Sequence, residues 1–269
     1  MNMNSKIALT PEEETLLIPL FAKAQANSQL FYDPKAKEIL DQVNYDFSSL
    51  KVPAKTSILV CQRAKKIDAI TREYMDQMDN VLVLHLGCGL DGRFWRVDDG
   101  KVIWYDLDMP GVIDLRQRFF SPHERYRTLA TSVSDLEWID QLKMTGKSVL
   151  IIAEGLLMYL GGSDVKKLVL RLREAFPGCQ LVADVFSKLA ARSATKHRSL
   201  QHTGASLGWG IDDPCEVETW GEGIRLIEEW YFSQDPDLGK LNLGYRLVYR
   251  FAGVFEMVRR AHRIVYYQL

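Results

Sequence analysis

The sequence predicts a doubly wound α/β fold, a parallel sheet with helices on both faces, and three observations predict it. The run V-L-V-L-H-L over Val81–Leu86 is short, almost wholly apolar and closed by the Gly-rich turn G-C-G-L-D-G. A strand buried on both faces leaves that pattern, because neither side meets water. A second apolar run, residues 102–107, follows the turn Asp98-Asp99-Gly100 and leads into Asp108. Apolar runs over Ser148–Ala153 and Gln180–Phe186 then alternate with segments of helical period, the rhythm of βαβ units.

Taken in order, residues 1–10 are polar, and Thr10-Pro11-Glu12-Glu13 is a helix start: a capping hydroxyl, proline at the first helical position, then acids near the positive helix end. That helix is expected to reach Phe21, with Pro19 kinking or breaking it. Phe31-Tyr32-Asp33-Pro34 is a turn before a helix at 35–42, and 51–55 is loop around Pro53. Residues 57–79 place Leu59, Val60, Ala64, Ile67, Ile70, Tyr74 and Met75 at amphipathic spacing. Arg63 lies on that helix and by period alone is a solvated charge.

After the second strand, Pro110 opens a helix containing Val112, Ile113, Leu115 and Phe119. The third strand is expected at 127–133, with a short helix from Asp135. The fourth, Ser148–Ala153, is apolar throughout its middle and therefore central, and it ends in Glu154-Gly155. Gly161-Gly162-Ser163-Asp164 starts a helix to Phe176, and Gln180–Phe186 is the fifth strand, carrying Asp184 in a structural role. Residues 187–222 break the α/β rhythm and sit where a lid would cover an acceptor pocket. They hold His197 and His202, five apart and so poorly placed as a metal pair. A sixth strand is expected at 224–232. A helix over 241–261 carries the stripe Leu243, Leu247, Phe251, Val254, Val258 and Ala261. A final strand at 263–269 is expected antiparallel at the sheet edge.

The glycine turn points to a ligand. Gly87 and Gly89 remove Cβ atoms where the chain turns sharply and a ligand approaches the backbone. Asp106 and Asp108 lie about 20 positions on, where a Rossmann-type fold holds a ribose hydroxyl pair. Gly87, Gly89 and Gly92 satisfy G-x-G-x-x-G, yet only five residues remain for the helix that would carry a pyrophosphate, and Asp91 would repel one. S-adenosylmethionine, which carries no phosphate, fits better than NAD. A dehydrogenase stays open as an alternative, and NAD against S-adenosylmethionine in a melting experiment separates them.

At 269 residues the chain could be one large α/β domain or two small ones, 47% hydrophobic content supports a sizeable core, and a single domain is the reading adopted. A formal net charge of −1 gives no electrostatic case for nucleic acid or an anionic membrane. No apolar run nears the roughly 18 residues that span a bilayer, and no signal peptide is visible. The four cysteines are scattered without C-x-x-C pairs, which argues against zinc or a disulfide framework and for a cytoplasmic setting. Oligomeric state is left open.

Three strings, L-G-C-G-L-D-G-R-F-W-R, then W-Y-D-L-D-M-P-G-V-I-D-L-R, then I-A-E-G-L-L-M-Y-L at 152–160, resemble the leucine carboxyl methyltransferase family. Within it the chain is most similar to the bacterial branch of polyketide O-methyltransferases, from about residue 14 onward. The resemblance implies a seven-stranded class I methyltransferase sheet, a helical cover over 1–80, a lid at 187–222 and S-adenosylmethionine as cofactor. It places Arg63 at the arginine that pairs with the cofactor carboxylate, Gly87 and Gly89 in the cofactor loop, and Asp108 at the ribose position. Glu154 falls at the methionine end. Ser132 and Val133 fall where many relatives hold adenine with an Asp, which this chain lacks. The implied reaction is transfer of methyl to an oxygen, most concretely a carboxylate of a small molecule or peptide. A carboxylate is ionised at neutral pH and needs no general base. A phenol or hydroxyl acceptor, with His197 or His202 as base, is the alternative within enzymes; a non-catalytic S-adenosylmethionine-binding protein is the alternative outside them.

Overall fold

The computed structural model describes residues 16–26, 30–43, 45–50, 52–142, 146–194 and 207–269. The helix start expected at Thr10 and the middle of the segment expected as a lid, with His197 and His202, lie outside the described residues.

Seven strands, β1 (Val81–Leu86), β2 (Ile103–Asp108), β3 (Tyr126–Ala130), β4 (Ser148–Ala153), β5 (Gln180–Phe186), β6 (Arg225–Tyr231) and β7 (His262–Gln268), form one sheet in the order β3-β2-β1-β4-β5-β7-β6. β1 to β5 are parallel, and β7 runs antiparallel to both its neighbours. Helices α1 (Leu17–Ala24), α2 (Pro34–Gln42) and α3 (Ala54–Gln77) precede the sheet. α4 (Arg93–Val97), α5 (Pro110–Arg116) and α6 (Glu137–Asp140) follow β1, β2 and β3. α7 (Gly162–Ala175) and α8 (Lys188–Ala194) follow β4 and β5, and α9 (Leu243–Val254) and α10 (Glu256–Arg259) lie between β6 and β7.

The period of two along each strand builds two separate cores. Leu82, Leu84 and Leu86, with Val149, Ile151 and Ala153, face Trp138 of α6 and Val165, Leu168 and Leu172 of α7. Val81 and Val83, with Leu150, Ile152 and Val182, face Ile67, Ile70 and Tyr74 of α3 and Phe94 of α4. Burial of one such side chain contributes about 1.5–3 kcal/mol. α3 is therefore one layer of the α/β sandwich. The cover proper is α1 and α2, whose Leu17, Leu20, Ala36 and Ile39 pack with Leu90 of the glycine loop and Leu115 of α5. That third core clamps the loop between β1 and α4.

The structure corrects four expectations. The first described helix runs past Phe21 to Ala24, with Pro19 in its first turn, where the missing N–H forfeits no intrahelical bond. The third strand ends at Ala130, so Ser132 and Val133 lie in the following loop. β7 is not at the edge; it sits between β5 and β6, and the edges are β3 and β6. The expected helix over 241–261 is two helices, and its apolar stripe faces outward: Leu243, Leu247, Phe251, Val254 and Val258 are exposed, while Tyr249 is the buried residue of α9. No helix among the described residues is long and apolar enough to cross a membrane.

Candidate cofactor and acceptor site

Strand order reverses between β1 and β4, and the crevice at their carboxyl ends is where an open α/β sheet binds ligands. Gly87 and Gly89 take φ of +63° and +51°, a left-handed backbone that favours glycine. Gly87 N and Cys88 N donate to Leu107 O at 2.8 and 3.2 Å, which ties the loop to the end of β2. Gly89 N donates to Asp108 Oδ2 and Met109 N to Oδ1, both at 2.8 Å. Burial pushes the Asp108 carboxyl up, and those backbone donors oppose the shift. Each oxygen of Asp108 keeps a lone pair for a further hydroxyl.

Asp106 is different in kind. It is fully buried and accepts from Trp104 Nε1 at 2.8 Å and Tyr126 OH at 2.7 Å. His85 Nδ1 lies 3.0 Å from its Oδ1, and Arg116 Nη2 pairs with Oδ2. Burial disfavours its charge, but Arg116 and His85 hold the carboxyl below its usual range. These four partners leave it a core ion, not a ribose ligand.

Thr131 N donates to Asp108 O at 2.9 Å, which brings the loop after β3 beside the same strand tip. Ser132 is half-buried there, its Oγ accepting from Ser134 N at 3.3 Å. Val133 turns its side chain into the core under α7.

At the β4 end the site is a buried ion cluster. Glu154 accepts from Arg63 Nε at 3.1 Å and from Arg93 Nη2, with Lys23 Nζ 3.8 Å away. Burial alone would raise its carboxyl; Lys23, Arg93 and Arg63 hold it down to about 2. Arg63 Nη1 donates to Asp184 Oδ2 at 2.8 Å, and Gly155 N donates to Asp184 Oδ1 at 2.6 Å. Asp91 turns into the same cluster, 3.0 Å from Lys23 and 2.7 Å from Arg96. Its charge is therefore neutralised within the protein, and it gives no argument against a pyrophosphate. The shortness of α4 does, since five residues make a poor anion-binding helix end.

Two groups escape a sequence reading. Lys23 is nearly fully buried on α1, past the point where the helix was expected to end. The one signal was a lysine inside the apolar stretch L-F-A-K-A. His262 opens β7, and its Nε2 lies 2.8 Å from Asp184 Oδ2. Asp184, expected to be only structural, links Arg63, Gly155 and His262.

A sequence model of leucine carboxyl methyltransferases matches residues 20–172, which run from α1 into α7 and include the glycine loop, Asp108 and Glu154. The chain belongs to the leucine carboxyl methyltransferase family. It is 33% identical to the tetracenomycin polyketide synthesis O-methyltransferase TcmP of Streptomyces glaucescens, over 98% of this chain and 99% of that one. An S-adenosyl-L-methionine-dependent methyltransferase of Gibberella zeae, dpfgK, is 26% identical over 86% of this chain and 85% of its own. Among solved structures, a DUF574 family protein from Streptomyces avermitilis shares the fold with a TM-score of 0.59 at 14% identity, over 96% of this chain and 99% of that one. A putative methyltransferase from Thermobifida fusca matches with the same TM-score at 15% identity, over 94% and 93%. As a member of the family, the chain is an S-adenosylmethionine-dependent O-methyltransferase.

The residues present fit that cofactor. A Cβ at Gly89 would meet only the flexible end of Leu16 at 3.4 Å, so the loop backbone is open to close approach. Asp108 could take the ribose hydroxyls. Arg63, paired here with Glu154 and Asp184, could turn a further donor to an amino-acid carboxylate at the β4 end, and Arg93 Nη1 is buried there without a partner among the described residues.

Proposed function

We propose that this leucine carboxyl methyltransferase family member methylates a carboxylate of a small aromatic molecule, giving a methyl ester. In this reading Asp108 holds the ribose hydroxyls, Gly87 and Gly89 pass the cofactor backbone, and Ser132 and Val133 border the adenine. Arg63 holds the methionine carboxylate, with Glu154 beside the cationic end. S-adenosylmethionine, when bound, supplies an electrophilic methyl on a positively charged sulfur. The protein's part is to align the acceptor oxygen and exclude water, an effect that can be worth several kcal/mol.

One observation carries the choice of acceptor. Both carboxylates at the β4 and β5 tips, Glu154 and Asp184, are held ionised by arginine contacts. Neither carboxylate is a base poised near neutrality; a hydroxyl acceptor would require one, and among the described residues at this end His262, paired with Asp184, would have to take that part. A carboxylate acceptor needs none. The identity with TcmP, named for tetracenomycin polyketide synthesis, supports a polyketide-type small molecule over a peptide, and the Phe186 and Phe232 rings beside His262 support an aromatic one. The buried free thiols Cys61, Cys88 and Cys179 support a reducing, cytoplasmic setting.

The test uses 3-hydroxy-2-naphthoate, which offers a carboxylate and a phenol on one ring system, with methyl-labelled S-adenosylmethionine. A methyl ester, released by mild alkali, is the expected product. An alkali-stable methyl ether as the main product would overturn the carboxylate reading.

A further inference from the structure

Glu154, Arg63, Asp184 and His262 form a continuous row across the tips of β4, β5 and β7, with contacts of 3.1, 2.8 and 2.8 Å. Asp108 and the glycine loop mark the other end of the crevice, over β1 and β2. A cofactor whose ribose lies at Asp108 and whose amino-acid end lies at Arg63 leaves the acceptor only the stretch beyond Arg63. That stretch is the β5–β7 corner, where Asp184 and His262 sit.

His262 is built into that corner. Its ring stacks on Phe186 at 4.2 Å between centroids and meets Phe232 at 4.8 Å. Nε2 is committed to Asp184. Nδ1 has no hydrogen bond among the described residues, and it is not one of the buried polar atoms sealed off without a partner. Exposed Tyr159, in the loop after β4, shares the field of Arg63 and Asp184. An imidazole fixed at one nitrogen by a carboxylate, open at the other and flanked by rings, is a recognition group for an aromatic anion.

We propose that His262, held by Asp184, binds the acceptor as an imidazolium: Nδ1–H donates to one carboxylate oxygen, and the other oxygen takes the methyl. The proposal rests on the carboxylate reading and adds the residue that selects for it. No proton is transferred. The electron pair of the free oxygen forms the O–C bond, and the S–C pair returns to sulfur.

The neighbouring charges leave His262 to this task. Asp184 faces it from β5, and Arg63 of α3 lies across Asp184. Glu154 of the β4 tip is taken by Arg63 and Arg93. Arg260 pairs with Glu256, and Arg259 lies over the Tyr231 ring. Asp235 pairs with Lys65, and Arg263 turns to Ile211 and Glu229.

The test is calorimetric binding of 3-hydroxy-2-naphthoate to protein saturated with S-adenosylhomocysteine, on wild type, His262→Gln and His262→Lys. S-adenosylmethionine affinity is the control for folding and for the cofactor site. Wild type should bind saturably. His262→Gln, which cannot carry the charge, should bind roughly 10- to 100-fold more weakly, the scale of a lost charged hydrogen bond. His262→Lys keeps a positive charge and should bind closer to wild type than His262→Gln does. Cofactor affinity should be unchanged in both variants. No saturable binding to wild type, or equal binding by wild type and His262→Gln, would overturn the proposal. Product identity, ester or ether, judges the carboxylate reading separately.

Discussion

Asp106 and Asp108 stand two positions apart on β2, and side-chain alternation alone does not separate them, because both point to the same face. Their neighbours separate them. Asp108→Ala should weaken S-adenosylmethionine roughly 10- to 100-fold by calorimetry, with little change in melting temperature. Asp106→Ala strips the buried Arg116 of its counter-charge and should cost about 3–5 kcal/mol in a denaturant melt, a loss of fold and not of a ligand contact. The glycines divide in the same way. A side chain at Gly87 would meet Leu156 at 2.9 Å, so Gly87→Val damages the protein itself. Gly89→Ala has space and tests the loop more cleanly, at about 1–2 kcal/mol of backbone strain. Arg63, which period reads as a surface charge, bridges two buried carboxylates. Its replacement by Ala should lower both cofactor affinity and melting temperature. Glu154 gives a pH signature. Its carboxyl is held at about 2 in the fold, below its unfolded value. Its contribution is therefore complete above about pH 5 and lost as pH falls toward 2. Glu154→Gln should be less stable at pH 7 and show a shallower acid limb in thermal melts.

The elements differ in how legible they were. β1, β4 and β5 fall where their apolar runs place them, because a strand buried on both faces leaves no room for another reading. α9 shows the limit. Its period marks an apolar stripe, but period reveals that a face is apolar and not what lies against it. The packing residue is Tyr249, off that stripe, whose hydroxyl donates to Gln62 Oε1 at 2.7 Å. Tyr249→Ala should cost about 3 kcal/mol, whereas Phe251→Ser should stay within about 0.5 kcal/mol; paired thermal melts check both. The site was legible in its first half, where the glycine loop and Asp108 are local in sequence. Lys23 and His262 escaped because tertiary contacts alone bring α1 to Glu154 and the start of β7 to Asp184.

At the scale of the whole molecule, the sheet is parallel through β5 and is closed by β7, which pairs with Phe186 through Gln180 on one side and with β6 on the other. Every N–H of such an interior strand faces a neighbour, so proline is excluded from it. Val265→Pro should leave no folded protein by circular dichroism. Ile227→Pro, at the irregular step of edge strand β6, should fold with a far smaller loss. The same topology orders events during synthesis. β6 leaves the ribosome before β7 yet pairs with no other strand, so it must wait with an open edge until β7 arrives. The acceptor corner waits with it, because His262 is the first residue of β7. A nascent chain could assemble β1 to β5, with the glycine loop and Asp108, before it had any place to hold an acceptor.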